Sequence, residues 1–168
     1  MDDVKYTGGL ILNSRNEILL QRKDIDYKKW PGFWTTFGGK IEETDKTPLD
    51  ALLREVREET WVHKVNDEGK QEYVEGTGLN LFDVKLFERS YIDESKYGDF
   101  GQPNPSLGFC DYFAARFDGD LSKIVLGEGA GFSLWSEREL PIIKDTTFTY
   151  VYEVIQRFYK NLKENALQ

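Results

Sequence analysis

The chain has a single cysteine, Cys110, and a single histidine, His63, among 168 residues. One cysteine excludes an intramolecular disulfide framework and agrees with a reducing, cytoplasmic compartment. Its place in an alternating run marks it as an ordinary strand residue rather than a nucleophile. A lone histidine without a histidine partner argues against a zinc centre. No apolar run approaches the about 18 residues needed to span a membrane. The acidic, polar start, MDDVKYTGG, does not read as a secretory signal, so no membrane partner is expected. Positive charge is also in deficit: 22 Lys and Arg against 30 Asp and Glu leave a net charge of −8. Nucleic-acid backbones require a basic footprint, which this balance denies. A small phosphorylated molecule is still compatible, provided metal ions and a few local cations reverse the field. With 39% apolar and 31% charged residues and no repeat or linker, residues 1–168 read as one soluble domain.

What is present is concentrated in Gly38–Val62, GGKIEETDKTPLDALLREVREETWV. Thr47 suits an N-cap, Pro48 the first helical position and Asp50 the third position of a capping box, so a helix is expected over Pro48–Thr60. Leu49, Leu52, Leu53 and Val56 form its expected core face. Glu55, Glu58 and Glu59 follow at i, i+3 and i+4, within about a third of the circumference. Their like-charge contacts cost about 0.2–0.5 kcal/mol each, and only Arg54–Glu58 offers an opposing i, i+4 pair. A hard divalent cation, Mg²⁺ or Mn²⁺, would relieve that crowding, because such ions take oxygen ligands. A solvated charged face is the plain alternative.

Around this stretch, Tyr6–Leu12 and Ile18–Arg22 read as a hairpin across Asn13-Ser14-Arg15-Asn16. Thr35–Phe37 reads as a short strand ending in Gly38-Gly39, a pair that lets other groups approach the main chain closely. Val62–Val65 and Tyr73–Val74 suggest a second hairpin. Leu79–Tyr91 is a long strand with Phe82, Val84 and Leu86 alternating on one face, and Asp93–Ser106 is a long loop. Strands at Leu107–Arg116 and Phe132–Trp135 follow. Ser136 and Glu139 cap a helical turn expected to stop near Pro141, and a last helix runs from about Thr146 to Leu162 with Val151, Ile155, Phe158 and Leu162 inward. Mixed strands between two principal helices give a three-layer α/β/α arrangement.

Gly39, Arg54-Glu55, Glu58-Glu59 and the apolar residues between them resemble the signature of the Nudix hydrolases: Gly, five residues, Glu, seven residues, then Arg-Glu-apolar-any-Glu-Glu-any-Gly-apolar. The helix half fits through Arg54-Glu55-Val56-Arg57-Glu58-Glu59-Thr60, and Val62 fits the closing apolar position. There are two departures. The span from Gly39 to Arg54 is one residue longer, with Asp45 or Lys46 where the glutamate belongs, and Trp61 replaces the usual glycine.

The resemblance implies a Nudix-like sandwich with a mixed sheet. It also implies divalent-metal hydrolysis of a phosphoanhydride in a nucleoside diphosphate-linked substrate. On that basis Glu55, Glu58, Glu59 and the Gly38 carbonyl would hold Mg²⁺ or Mn²⁺. Arg54 would orient the glutamates, and Glu128 would add a ligand or base from Leu126-Gly127-Glu128-Gly129, with a glutamate in an ordinary glycine turn as its plain alternative. Arg22 and Lys40 would contact phosphates, with strand-end surface charge as their plain alternative. Trp30, Phe33, Trp34, Tyr97 and Phe100 are candidate base-stacking aromatics, with ordinary core packing as the plain alternative. Markers of the ADP-ribose, dinucleoside polyphosphate and coenzyme A members are missing. A nucleoside triphosphate, including oxidised forms such as 8-oxo-dGTP, is therefore the favoured small-molecule partner, and a nucleotide sugar comes next. A ligand-sensing module of the same fold is the alternative outside catalysis. A diphosphate isomerase would need a reactive cysteine, which Cys110 does not resemble. Many relatives are homodimers, although nothing in the chain itself establishes one.

Overall fold

The computed structural model describes residues 4–27, 30–75, 79–97, 106–127 and 129–166. Strands β1 (Val4–Leu12), β2 (Ile18–Arg22), β3 (Trp34–Thr35), β6 (Asn80–Asp93), β7 (Leu107–Asp118) and β9 (Gly131–Trp135) form one sheet. The sheet is mixed, since β1 runs parallel to β7 and the other pairs are antiparallel. Helices α1 (Pro48–Glu59) and α3 (Thr149–Ala166) belong to two separate cores, with the short α2 (Leu140–Ile143) before α3.

The period-2 alternation of strand side chains divides those cores. Leu10 and Leu12 of β1, Ile18 and Leu20 of β2, and Cys110, Tyr112 and Ala114 of β7 pack with α3 through Val151, Val154, Ile155 and Phe158. The intervening residues Ile11, Leu19, Phe113 and Ala115 pack with Leu52 and Val56 of α1. Burying an aliphatic side chain contributes about 1.5–3 kcal/mol. Leu52 and Val56, at 0% and 3% exposure, therefore outweigh the like-charge cost among the glutamates of the same helix.

The strand pattern has one irregularity that positions the site. β1 and β2 pair only at Leu12–Ile18 and then part. The segment from Trp34 to Lys40 fills the opening. It pairs with β2 at Gln21–Thr35 and Arg22–Trp34, and with β1 at Gly9–Phe37 and Tyr6–Lys40. The Gly9 and Thr7 amides donate to the Phe37 and Gly39 carbonyls at 2.8 and 2.9 Å. Gly38 and Gly39 are thus held at the mouth of a wedge in the sheet.

Several expectations are corrected. A second sheet, β5 (Gln71–Glu75)–β4 (Thr60–Val65)–β8 (Ile124–Leu126), stands apart from the first, and β8 carries no long apolar run to announce it. Leu53 is 44% exposed rather than part of the helix core face, because the sheet is met by Leu52 and Val56 instead. Phe82 and Leu86 are also exposed, at 42% and 51%. Register shifts between Phe82 and Lys85 and between Leu86 and Glu88 break the alternation assumed for that strand. Pro141 lies in the first turn of α2 instead of ending a helix, as its missing N–H permits. The Ser136–Glu139 cap is present, with the Glu139 carboxylate accepting from the Ser136 amide at 2.9 Å and hydroxyl at 2.7 Å. The last helix starts at Thr149 and continues to Ala166.

In the Asp93–Ser106 connection, a 3₁₀ turn covers Glu94–Tyr97. The buried Glu94 carboxylate accepts from the Ser106 amide at 2.6 Å and the Tyr150 hydroxyl at 3.3 Å, so the two ends of the connection are clasped against α3. The side chain of Tyr97, and Phe100 entirely, lie outside the described residues.

Candidate functional site

Helix α1 begins as its sequence requires. The Thr47 hydroxyl oxygen accepts from the Asp50 amide at 3.1 Å, while the same hydroxyl donates to the Asp50 carboxylate at 2.9 Å. The helix ends without a glycine. Thr60 takes extended backbone angles and its hydroxyl bonds the Val56 carbonyl, after which the chain runs directly into β4. The indole N–H of Trp61 donates to the Glu58 carbonyl at 2.6 Å. The Trp61 indole thereby satisfies a last-turn carbonyl that a C-terminal glycine motif would otherwise cap, while the Val56 carbonyl also accepts from the Thr60 amide.

Arg54 organises the exposed side of the acidic cluster. Its guanidinium grips Asp45 with both ends of the fork, at 3.0 and 2.9 Å, and reaches Glu55 and Glu58 at 3.0 and 2.9 Å. It also donates to the Lys40 carbonyl at 3.1 Å. A bidentate arginine–carboxylate pair is both strong and geometrically specific. Asp45 thus ties the loop before the helix to the helix itself, and the Arg54 hydrogen bond holds its carboxyl below the usual range.

The three glutamates occupy different environments. The Glu58 side chain is 46% exposed and that of Glu55 17% exposed. Glu55 lies against Gly39, where an added Cβ would stand 2.6 Å from its carboxylate oxygen. Glu59 is 4% exposed. One of its oxygens accepts from the Gln21 side-chain amide and the other from the Gly38 main-chain amide at 3.2 Å. Burial pushes its carboxyl up to about 8, against the lowering influence of the Gln21 bond, the Lys23 charge and the Gly38 amide. Gly38 has φ of +132°, and a Cβ there would come within 2.3 Å of the Thr7 carbonyl oxygen. Neither glycine can be exchanged without moving its neighbour.

A cavity of about 120 Å³ opens beside Gly38 and Gly39, walled by Thr7, Thr35, Thr36, Phe148, Tyr150 and Lys23, among others. Among the described residues Lys23 is the cation on this wall, and sequence reasoning passed over it in favour of Arg22. The Arg22 guanidinium donates to the Gly32 carbonyl at 2.9 Å and lies 5.9 Å from the Trp34 ring centroid. Trp34 is itself packed edge-on against Trp135 at 5.2 Å. Lys40 is exposed and lines a separate groove beside Glu42 and Glu43. The structure therefore gathers Gly38, Glu55, Glu58, Glu59 and Arg54 at one place, with Arg22, Trp34 and Lys40 around it in other contacts. A larger cavity of about 710 Å³, lined by Lys85, Arg116 and Phe158 among others, shares no residue with this place.

Glu128 lies outside the described residues, but its flanks are ordered by contact. The Gly127 amide donates to the Glu59 carbonyl at 2.9 Å and the Ala130 amide to the Arg22 carbonyl at 2.8 Å. Gln21 was also missed, although its position gave a signal. It follows Leu19 by two residues in β2, so a polar side chain falls on the face turned to the α1 core.

Among the described residues, no three of His, Cys, Asp and Glu stand within reach of a single ion. The donor chemistry nevertheless suits a hard divalent cation, with carboxylate and main-chain oxygens and a buried Glu59 that is held, among the described residues, by neutral amides rather than by a cation in contact. Cys110 is no alternative centre, since it is 3% exposed and burial pushes its thiol up to about 12.

A three-layer α/β/α sandwich with a carboxylate-bearing helix end set against a glycine pair in a parted sheet defines a recognisable class. The NUDIX domain model matches residues 4–123, and the chain belongs to the Nudix hydrolase family, whose members generally use divalent metals. No curated protein matches the chain. Among solved structures, a NUDIX hydrolase from Nitrosomonas europaea superposes with a TM-score of 0.66 at 14% identity, over 95% of this chain and 90% of that one. The MutT protein from Methanosarcina mazei gives 0.62 at 19% identity, over 95% of each chain. The E. coli dihydroneopterin triphosphate pyrophosphohydrolase gives 0.56 at 20% identity, over 94% and 98%. At these identities the likeness is one of fold. Among the described residues, no helix is long and apolar enough to cross a membrane.

Proposed function

We propose that this single-domain chain hydrolyses the phosphoanhydride of a nucleoside diphosphate-linked small molecule. The favoured substrate is a nucleoside triphosphate, oxidised forms such as 8-oxo-dGTP included, which water converts to nucleoside monophosphate and pyrophosphate. The observation that carries this reading is the buried Glu59 carboxylate, fixed between Gln21 and the Gly38 amide, with Gly38 also lining the small cavity that Lys23 walls. Phosphoanhydride cleavage asks a protein chiefly to position water and to stabilise charge on phosphoryl oxygens.

Glu55, Glu58, Glu59 and the Gly38 carbonyl would hold Mg²⁺ or Mn²⁺ once Glu55 and Glu58 exchange their Arg54 contacts for the ion, which supplies positive charge to the phosphate oxygens when bound. Arg54 holds Glu55 and Glu58 side by side and, through Asp45, fixes the loop that leads into the helix. A carboxylate of the cluster accepts the proton of the attacking water, and Glu128 is the candidate for a further ligand or base. Lys23 contributes local positive charge in a chain whose overall charge opposes an anionic substrate. The pyrophosphohydrolase named among the structural neighbours acts on a triphosphate, in keeping with this choice.

One observation favours a second reading. Arg54 occupies both Glu55 and Glu58, as it would in a nucleotide-binding module of the same fold with weak catalysis. Incubation with nucleoside triphosphates, nucleotide sugars and dinucleotides in Mg²⁺ or Mn²⁺, with phosphorus products followed by NMR, separates the two. Release of pyrophosphate from a triphosphate is the expected result; binding without turnover across the panel supports the module instead.

A further inference from the structure

Gln21 lies at a doubly paired position of β2, opposite Thr35 on one side and Phe132 on the other, and is 1% exposed. A polar side chain in such a place is retained only if its hydrogen bonds are made. Its amide nitrogen donates to Glu59 Oε1 and, at 3.4 Å, to the Thr36 carbonyl. Both amide hydrogens therefore have acceptors. Turning the amide over would set its oxygen against a carboxylate and a carbonyl, so the orientation is fixed. The other oxygen of Glu59 is held by the Gly38 amide at 3.2 Å.

This arrangement differs in kind from that of Glu55 and Glu58, which are held by the cationic Arg54. A neutral amide orients a carboxylate without cancelling its charge, whereas a lysine or arginine in the same place would repel an incoming cation. We propose that Gln21 is a positioning residue that fixes the Glu59 carboxylate and thereby sets how tightly the site holds a divalent cation. This rests on the metal-site reading above. Gln21 itself touches neither substrate nor metal and acts through Glu59.

The test is Mn²⁺ binding to the full chain without substrate, measured by the EPR signal of unbound Mn²⁺, beside thermal melting and the kinetics of pyrophosphate release. Gln21→Met keeps side-chain length and removes the donor. Loss of such an outer partner typically weakens metal binding about 10- to 100-fold. Gln21→Met is therefore expected to melt cooperatively, bind Mn²⁺ at least about tenfold more weakly and lower kcat with less change in KM. In a Glu59→Gln background the same substitution is expected to add no further loss. Gln21→Thr, whose β-branched side chain suits a strand and is too short to reach Glu59, gives the same reading if Gln21→Met does not fold. Mn²⁺ affinity unchanged in a folded Gln21 variant, or a loss equally large in the Glu59→Gln background, overturns the positioning role alone. A wild-type chain that binds no Mn²⁺ overturns the metal-site reading and this inference with it.

Discussion

Gly39 and Glu55 touch across the gap between sheet and helix, so closely that a Cβ on Gly39 would stand 2.6 Å from one carboxylate oxygen and 2.7 Å from the carboxyl carbon. The glycine is thus a contact surface for the helix as well as a turn residue. Gly39→Ala is expected to push the Glu55 carboxylate out of place while leaving the fold intact, because the atom displaced is the end of a side chain. A displacement of about 1 Å costs roughly 10²-fold in rate. Steady-state hydrolysis beside a melting curve checks this, and near-normal turnover would remove Glu55 from the site.

Asp45 and Arg54 close the other side of the loop before the helix. The Arg54 bond lowers the Asp45 carboxyl, so Asp45 stabilises the fold above the ordinary aspartate range, and that contribution is lost as pH falls through its lowered value. Asp45→Asn is expected to melt below the wild type at neutral pH, with the difference shrinking in acid. A difference independent of pH would show that the pairing is not what Asp45 contributes.

Glu59 behaves in the opposite sense. Its carboxyl is raised from 4.5 to about 8 in the folded chain, which favours the protonated form. Its stabilising contribution is full below the lower value and fades as pH rises through the upper one. Without metal, the wild type is expected to lose stability relative to Glu59→Gln between about pH 5 and about pH 9. Added Mg²⁺ is expected to restore it at the alkaline end. Calorimetric melting of the two proteins with and without Mg²⁺ provides the comparison, and parallel curves would contradict the burial of an ionisable Glu59.

Gly127 is enclosed by the C-terminal end of the same helix. A Cβ there would meet the Trp61 indole nitrogen at 2.2 Å and the Glu58 carbonyl oxygen at 2.4 Å. Gly127→Ala is expected to destabilise by about 1–3 kcal/mol through overpacking. Trp61→Gly should rescue it only in part, since the clash with the Glu58 carbonyl is backbone and remains. Denaturant titration of the single and double variants tests the pair; complete rescue would locate the clash in the indole alone.

The start of α1 was legible because Thr47, Pro48 and Asp50 act locally, and the strands around Leu10–Leu12, Ile18–Leu20 and Tyr112–Ala115 were legible because both of their faces are apolar. Spacing alone placed Glu55, Glu58 and Glu59 on one side of a helix, but it could not say which of them the sheet would bury. That depends on where β1 and β2 part, which is a tertiary matter. Lys23 was hidden by the neighbouring Arg22, since nothing local reveals that one is engaged by the Gly32 carbonyl and the other lines the cavity. β8 escaped notice because Ile124–Leu126 is only three residues long and is a strand by virtue of pairing with β4. The departure at Trp61 was visible in sequence; the replacement cap at Thr60 required the structure.

The wedge between β1 and β2 bears on the one-residue excess between Gly39 and Arg54. The chain is clamped through Ile41, whose amide donates to the Lys5 carbonyl at 2.9 Å, and is seized again at Asp45 by Arg54. Between those two fixed points the Glu42 carbonyl accepts from the Asp45 amide at 3.0 Å and the Glu42 amide donates to the Asp45 carboxylate at 2.8 Å, so the loop is a closed turn. A residue added inside that turn is expected to break both bonds and to loosen the hold of Asp45 on Arg54, and with it the footing of the acidic helix.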